Sequence, residues 1–557
     1  MSSSRRISGR SQGQPRILQR DRSSRAKLVV ESRFRPTQFQ KHGLHGHDEQ
    51  SYRADRNGMV LLLVLVVVVA LAFSAYTFTV IMRTEQEAAI MAGRRIQSRY
   101  LVDSGADSIR LFLSQKNSLI EEAGGTYDNP VQFQALTVYV SPDQTASGQV
   151  TCIAPNLDDS GMLTGFRFGL MDESSKLNVN VLPQVDNLLA DGGRTLLMAL
   201  PAMTEETADA IMDWIDTNDE PRDYGVEASY YTSQSPPYTC KNGPLESIEE
   251  LLMVRGVTPE LLFGLDDNHN GILDDTEAGN AGERGLAPEM ALGWANYLTL
   301  WSAERNFNDE GLPRIDLNQA DLEVLFEELS AVFSAEWANF IVAMRLNGPY
   351  EGDGESTGGL LGGELDLTLA PSYDFNQVLD LVDARVEVLY LDAEEPVILD
   401  SPFQSVNLPF VLPILLPNVT TVASDTIPGR ININQCTRAV MLGIPGMDEA
   451  TVDQIISRRD IVDDGSDANR QFETWILVEG IVDLATMRQL LPFVCVGGDV
   501  FRAELVGYFD DGMASSRAEV VIDRTEVFPR IIFWRDKSHL PLGYQLNTLG
   551  LNYQATQ

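Results

Sequence analysis

The sequence predicts an α+β protein with one long N-terminal transmembrane helix, a small sheet and a large helical region. Three observations lead there. Residues 59–82 form a chargeless apolar run, and a helical pattern continues from it to about residue 115. Strand-like stretches lie before residue 175 and after residue 500. Between them, from residue 176, the texture is short helices joined by tight turns.

The apolar run, Met59 to Met82, would span roughly 36 Å as a helix, enough for a tilted bilayer crossing. It is too long for the apolar core of an ordinary secretory signal and lacks a small-x-small cleavage pattern. Beyond it Ala88, Ala89, Met91, Ala92, Ile96, Tyr100, Leu101, Ala106, Ile109 and Leu113 recur at spacings of three and four. One helix is therefore expected from about 60 to 115.

Charge orients this anchor. Residues 1–57 carry 13 Lys+Arg against 5 Asp+Glu, and residues 58–557 carry 29 against 75. Basic flanks stay cytoplasmic, so the acidic body is expected across the membrane, on the periplasmic side of a bacterium. Such a body repels nucleic acid and favours cations. Residues 1–57 are polar and expected to be disordered, and His42, His45 and His47 belong to that tail rather than to a metal site.

Strands are expected at Leu136–Val140 and Phe166–Leu170, then at Arg502–Phe509, Ala518–Ile522 and Arg530–Trp534, with a turn at Asp510-Asp511-Gly512. Residues 351–363 read as a Gly-rich loop. Four cysteines, Cys152, Cys240, Cys436 and Cys495, allow three pairings. Cys436 and Cys495 bracket one compact unit and are the favoured pair; otherwise all four are small buried side chains.

An internal repeat organises the helical region. Arg194 to Ile211 aligns without gaps on Arg438 to Ile455. Each copy has a helix, a hairpin at Pro201 or Pro445, an N-cap at Thr204 or Asp448, and a second helix. Fainter partner hairpins follow at Leu251–Leu261 and Trp475–Leu484. A third version opens at Ile315-Asp316-Leu317-Asn318, matching Ile431-Asn432-Ile433-Asn434, with a less clear hairpin. Paired helix-hairpin-helix units of the SAM-like kind are the expectation. Such hairpins hold DNA phosphates only amid Lys and Arg. Glu205, Glu206, Asp448 and Glu449 stand there instead, which sets a membrane-anchored DNA receptor second to a protein-binding scaffold.

Asp266 to Glu277 fits a calcium-binding EF-hand loop. Asp266, Asn268 and Asn270 stand at positions 1, 3 and 5, Gly271 at 6, the Ile272 carbonyl at 7, Asp274 at 9 and Glu277 at 12. A weaker calcium candidate is Asp213, Asp216 and Asp219, in an acidic stretch that ends at Glu227. Its plain reading is helix-end capping. No nucleophile elbow, HExxH motif or phosphate loop is present, and His269 and His539 sit in unrelated contexts, so no enzyme is expected.

Together these features resemble a known family, the minor pseudopilins called general secretion pathway protein K (GspK) of bacterial type II secretion. The carrying residues are Gly58 before Met59-Val60-Leu61, Lys176-Leu177-Asn178-Val179-Asn180, Asp213-Trp214-Ile215-Asp216, Asn242 to Leu251, Ile431 to Asn434 and Ile444-Pro445-Gly446-Met447. The resemblance implies a pseudopilin core with a helical domain inserted between its first and last strands. It implies cleavage by prepilin peptidase after Gly58 and N-methylation of Met59. Leu63 stands where ordinary pilins carry Glu, which the resemblance ties to a place at the pseudopilus tip. It further implies binding to other minor and major pseudopilins and to the inner-membrane secretion platform. Calcium in the helical domain would fall to Asp213, Asp216 and Asp219, with the loop 266–277 an addition to the family's ligands.

The expected organisation is a basic leader over 1–58, the membrane helix over 59–82, and its continuation with the first strands over 83–175. A first helix-hairpin-helix unit follows over 176–300, a middle region over 301–427, a second unit over 428–495 and closing strands over 496–557.

Overall fold

The structure, a computed structural model, describes residues 57–140, 147–284, 288–308, 310–356, 363–459, 467–510, 512, 514–545 and 547–550. Residues 1–56 of the basic leader with its three histidines, residues 357–362 of the Gly-rich loop, and Asp511 lie outside them, while Asn57 and Gly58, expected in the leader, already belong to the first helix. Helix α1 runs over Asn57–Leu113, matching the expected bounds. Among the described residues it is the one helix long and apolar enough to cross a membrane. Among the described residues, those from Asn57 to Val80 form a unit of their own, and those from Ile81 belong to the body.

The body's main sheet is built from both ends of the chain. Before the helical region come β1 (Leu136–Val140), β2 (Ser147–Leu157), β3 (Leu163–Arg167) and β4 (Met171–Asp172). After it come β5 (Val500–Phe509), β6 (Ser515–Asp523) and β7 (Arg530–Asp536). The order is β1-β2-β5-β6-β7, antiparallel throughout, with β3 on β2 and β4 on β5. Cys152 lies opposite Leu505 and Val150 opposite Gly507, so the sheet closes around an insertion.

The later part of α1 buries Leu101, Val102, Ala106, Ile109 and Phe112 against Val150, Cys152, Ala503, Leu505, Val520 and Ile522. That stripe follows the three-and-four spacing of an amphipathic helix. The approach is close at Gly507, where a Cβ would lie 2.8 Å from the Ser98 carbonyl oxygen. Beside it the Ser98 and Ser516 hydroxyls hydrogen-bond at 2.7 Å.

One strand expectation changes, and one strand had not been expected. The stretch Phe166–Leu170 is a strand only to Arg167, because the next backbone groups turn to the loop before β1. Asn129 N donates to Phe168 O at 2.7 Å and Leu170 N to Thr126 O at 2.8 Å. Strand β2 had no sequence signal: Val150 to Ala154 are all buried, so apolar and polar residues do not alternate, and Pro155 argues against a strand.

The inserted region holds three successive units on one apolar core. Each opens and closes through a two-residue parallel bridge: Leu177–Asn178 with Leu298–Thr299, Ile315–Asp316 with Val419–Thr420, and Ile431–Asn432 with Val494–Cys495. Each polar opening residue accepts a backbone N–H two residues on. The distances are 3.1 Å for Asn178 from Asn180, 2.9 Å for Asp316 from Asn318 and 2.9 Å for Asn432 from Asn434. These side-chain turns end the extended segment and start the helices.

The first unit carries α2 (Gly192–Met198) and α3 (Glu205–Ile215), the middle one α4 (Leu322–Val332) and α5 (Ala335–Asn347), the last one α6 (Arg438–Gly443) and α7 (Glu449–Arg458). Thr204, Ser334 and Asp448 cap the second helix of each pair. The middle turn is only Phe333-Ser334, with no Pro, which is why its hairpin is faint in sequence.

The disulfide between Cys436 and Cys495 is not formed; all four cysteines are free thiols. Cys495 stands opposite Asn432 in the last bridge, and the Cys436 N–H donates to the Asn432 carbonyl at 2.8 Å. Both are fully buried, and burial pushes the Cys436 thiol up to about 12. They act as small apolar side chains in that unit's core.

Candidate metal sites

Two acidic constellations are built on the first unit. The first forms where α3 ends. Helix period places Asp209 and Asp213 on one face and Asp216 at the C-cap. The chain then turns back through Arg222 and Gly225 to Glu227. Ligand oxygens of Asp213, Asp216 and Glu227 come within 4.8 Å of one another. Gly225 permits this packing, since a Cβ there would lie 1.8 Å from Asp213 Oδ2.

Few donors satisfy these oxygens. The Asp213 carboxylate accepts the Arg222 N–H at 3.2 and 3.3 Å, and Asp216 accepts the Asn218 N–H at 3.1 Å. Neither oxygen of Glu227 finds a hydrogen-bond partner among the described residues, although the residue is 4% exposed. Burial pushes Asp213 up to about 6. Burial, then the neighbouring Asp213, pushes Glu227 up to about 7. A cation among these oxygens would offset both effects, because opposite charge favours the ionised form.

Asp219, expected as the third ligand, is instead exposed and accepts from Asn242 Nδ2 at 2.7 Å. Glu227 takes the third place. Its one sequence signal was its position at the end of the same acidic stretch.

The second constellation is the loop 266–277. Asp266, Asn268, Asn270 and Glu277 are all buried. Asp266 accepts the N–H groups of Asn270 at 3.0 Å and Gly271 at 2.8 Å. The Ile272 N–H bonds to Asn270 Oδ1 at 2.8 Å. Glu277 reaches back to the Asp267 N–H at 3.0 Å and to Asn268 Nδ2 at 3.3 Å. Asp274 accepts the Glu277 N–H at 3.0 Å, at the start of the helix Asp275–Arg284. Gly271 has φ +76°, which the turn requires and which a side chain would strain. Burial pushes Asp266 up to about 6. Hydrogen bonds within the loop thus join Asp266 to Asn270, Asn270 to Ile272, and Glu277 to both Asn268 and Asp274.

Gly58 and Met59 lie in the first turn of α1. A buried ion network that the sequence did not signal joins the sheet to the insert. Arg502 pairs with Glu173 at 2.5 Å and also with Glu519, and Lys537 pairs with Glu519 at 2.7 Å and Glu504 at 3.0 Å. Its members come from four separate segments, so no spacing announces it.

Residues 175–266 match the family model described as type II secretion system (T2SS), protein K. Over 217 residues the chain is 25% identical to the putative type II secretion system protein K of Escherichia coli (strain K12), covering 37% of this chain. The chain spans 60% of that relative's length. It is also similar to a chain in the crystal structure of the GspK-GspI-GspJ complex from the enterotoxigenic Escherichia coli type 2 secretion system. That likeness has 13% identity and a TM-score of 0.29, over 82% of this chain and 98% of the other.

Proposed function

We propose that the chain belongs to the type II secretion system protein K family and is a minor pseudopilin at the tip of a periplasmic pseudopilus, helping export folded proteins. The observation that carries the reading is the protein K match over residues 175–266 in a chain with a long apolar helix and an antiparallel sheet.

In this reading α1 anchors the chain in the inner membrane with the body periplasmic. Helices of this kind assemble by packing against those of other pseudopilins. The three-unit insertion is a bulky head that suits the end of a filament better than its repeating shaft. Its helix-hairpin-helix units are a SAM-like scaffold for protein contacts. Their turns carry Glu205, Glu206 and Glu449, whose negative charge repels a nucleic acid phosphate. The partners are other minor and major pseudopilins and the inner-membrane platform. Prepilin peptidase cuts after Gly58 and Met59 is methylated.

Asp213, Asp216 and Glu227 hold calcium. The donor set is all oxygen, as a hard cation prefers, and the donorless Glu227 carboxylate supports it.

Deleting the chain in its native bacterium is expected to abolish export of a secreted enzyme; normal export without it refutes the reading. Mass spectrometry of the membrane-extracted protein should find methylated Met59 as the N-terminus. An intact leader would point to a plain signal anchor.

A further inference from the structure

The loop 266–277 buries groups that a surface loop would keep in water. Asp266, Asn268, Asn270 and Glu277 are 5%, 2%, 5% and 5% exposed. Two carboxylates and two carboxamides thus turn inward from one short segment. Asn268 is aimed at the Glu277 carboxylate, with Nδ2 3.3 Å from Oε1. Its other amide atom, Oδ1, is buried with no hydrogen-bond partner among the described residues. A buried acceptor without a donor is unfavourable, and a metal ion would supply what it lacks.

The outer side of the same loop is held by the sheet. Arg517 in β6 donates through Nη1 to the Asn268 carbonyl at 2.7 Å and through Nη2 to the His269 carbonyl at 3.0 Å. Lys537, just after β7, donates to the His269 carbonyl at 2.6 Å. Loop positions 3 and 4 do not offer their carbonyls to the ion in an EF-hand, so both contacts are compatible with a loaded loop. Gly543 closes over it: a Cβ there would lie 2.9 Å from Asn268 Oδ1 and 2.7 Å from Asn270 Nδ2.

We propose that residues 266–277 bind calcium and that the ion fastens the helical insert to the sheet through Arg517 and Lys537. Asp266, Asn268, Asn270, the Ile272 carbonyl and Glu277 are the ligands, and Asp274 acts through water. The ion orders the inner oxygens, and the loop's outer carbonyls then stay in place as acceptors for the two cations. With the site unfilled the loop loosens and those cations lose a fixed partner. This holds whether or not the chain is a pseudopilin, and it is separate from the cluster at Asp213.

The test uses the full chain in detergent, stripped with a chelator and returned to calcium chloride. Bound calcium is counted by atomic emission, and amide exchange is followed at residues 266–277 and 515–523. In the wild type, calcium slows exchange in both segments, by up to about a hundredfold once free calcium is roughly 100 times Kd. Glu277→Gln is expected to lose one calcium equivalent and this protection. Glu227→Gln is expected to leave the protection of 515–523 unchanged. Unchanged stoichiometry in Glu277→Gln overturns the site. One equivalent lost while 515–523 still responds to calcium overturns the fastening. Should Glu277→Gln fail to fold, the wild type decides: no calcium-dependent protection of 266–277 sinks the proposal.

Discussion

Gly443 of α6 lies against Ala199 at the end of α2, and the two hold the same place in sequences that repeat. A Cβ on Gly443 would sit 2.9 Å from the Ala199 Cβ and 2.9 Å from the Leu196 carbonyl oxygen. Equivalent residues in contact are what a local two-fold relation between the first and last units produces. Small side chains at that point let the helices approach closely.

Gly443→Val should therefore strain this crossing, lowering stability by about 1–3 kcal/mol. Ala199→Gly in the same chain should restore part of the loss, since it removes one of the two contacts. Thermal melts of the four variants in a double-mutant cycle read the coupling. Additive effects would show that the two residues do not meet.

Asp172 ties the first strands to the last unit. Its Oδ2 accepts Asn432 Nδ2 at 2.8 Å and the Gly498 N–H at 2.9 Å, while Oδ1 accepts the Ser174 N–H at 2.8 Å. Burial pushes it up to about 6. A raised carboxyl stabilises the fold below the unfolded value, near 4, and loses that contribution as pH rises through about 6. Asn432→Ala removes a donor to the charged form. It should cost about 1–3 kcal/mol, and more at pH 8 than at pH 5. Chemical unfolding at the two pH values checks it, and an equal cost at both counts against an ionised Asp172.

Lys176 is buried beside Glu173, Glu519, Arg502 and Lys537, and burial, then Arg502, pushes it down to about 7. A depressed lysine gives its full contribution above the unfolded value, near 10.4, and loses it as pH falls through about 7. Wild-type Tm should rise from pH 7 to pH 9.5. Lys176→Met should flatten that slope and match or exceed wild-type stability at pH 7, as replacing buried charge with apolar volume often does. A slope that survives the substitution assigns it to another group.

Val69 lies in the apolar run. Val69→Arg should raise the cost of insertion by about 2.5–3.5 kcal/mol. The expected readout is a larger fraction extracted from membranes by alkaline carbonate. Unchanged retention would argue that this segment is not the anchor.

The helices were legible where their signals are local. The bounds of α1 and the caps at Thr204 and Asp448 depend on neighbours within about one turn. The acidic cluster was half legible: Asp213 and Asp216 share a helix end, but Glu227 arrives only when the chain turns back at Gly225. Strand β2 escaped because a strand covered on both faces has no alternation to read. The Cys436–Cys495 pairing failed because proximity within a unit does not by itself make a bond.

Local pattern alone determined that this chain has one apolar anchor, an acidic body and repeated helical hairpins, because helix period, capping and charge are properties of adjacent residues. Tertiary structure decided that β2 and β5 complete one sheet around the insertion, that three units rather than two share its core, and that Arg517 and Lys537 grip the loop 266–277. Those outcomes depend on which distant backbone edges and buried charges find each other, and no spacing along the chain encodes that.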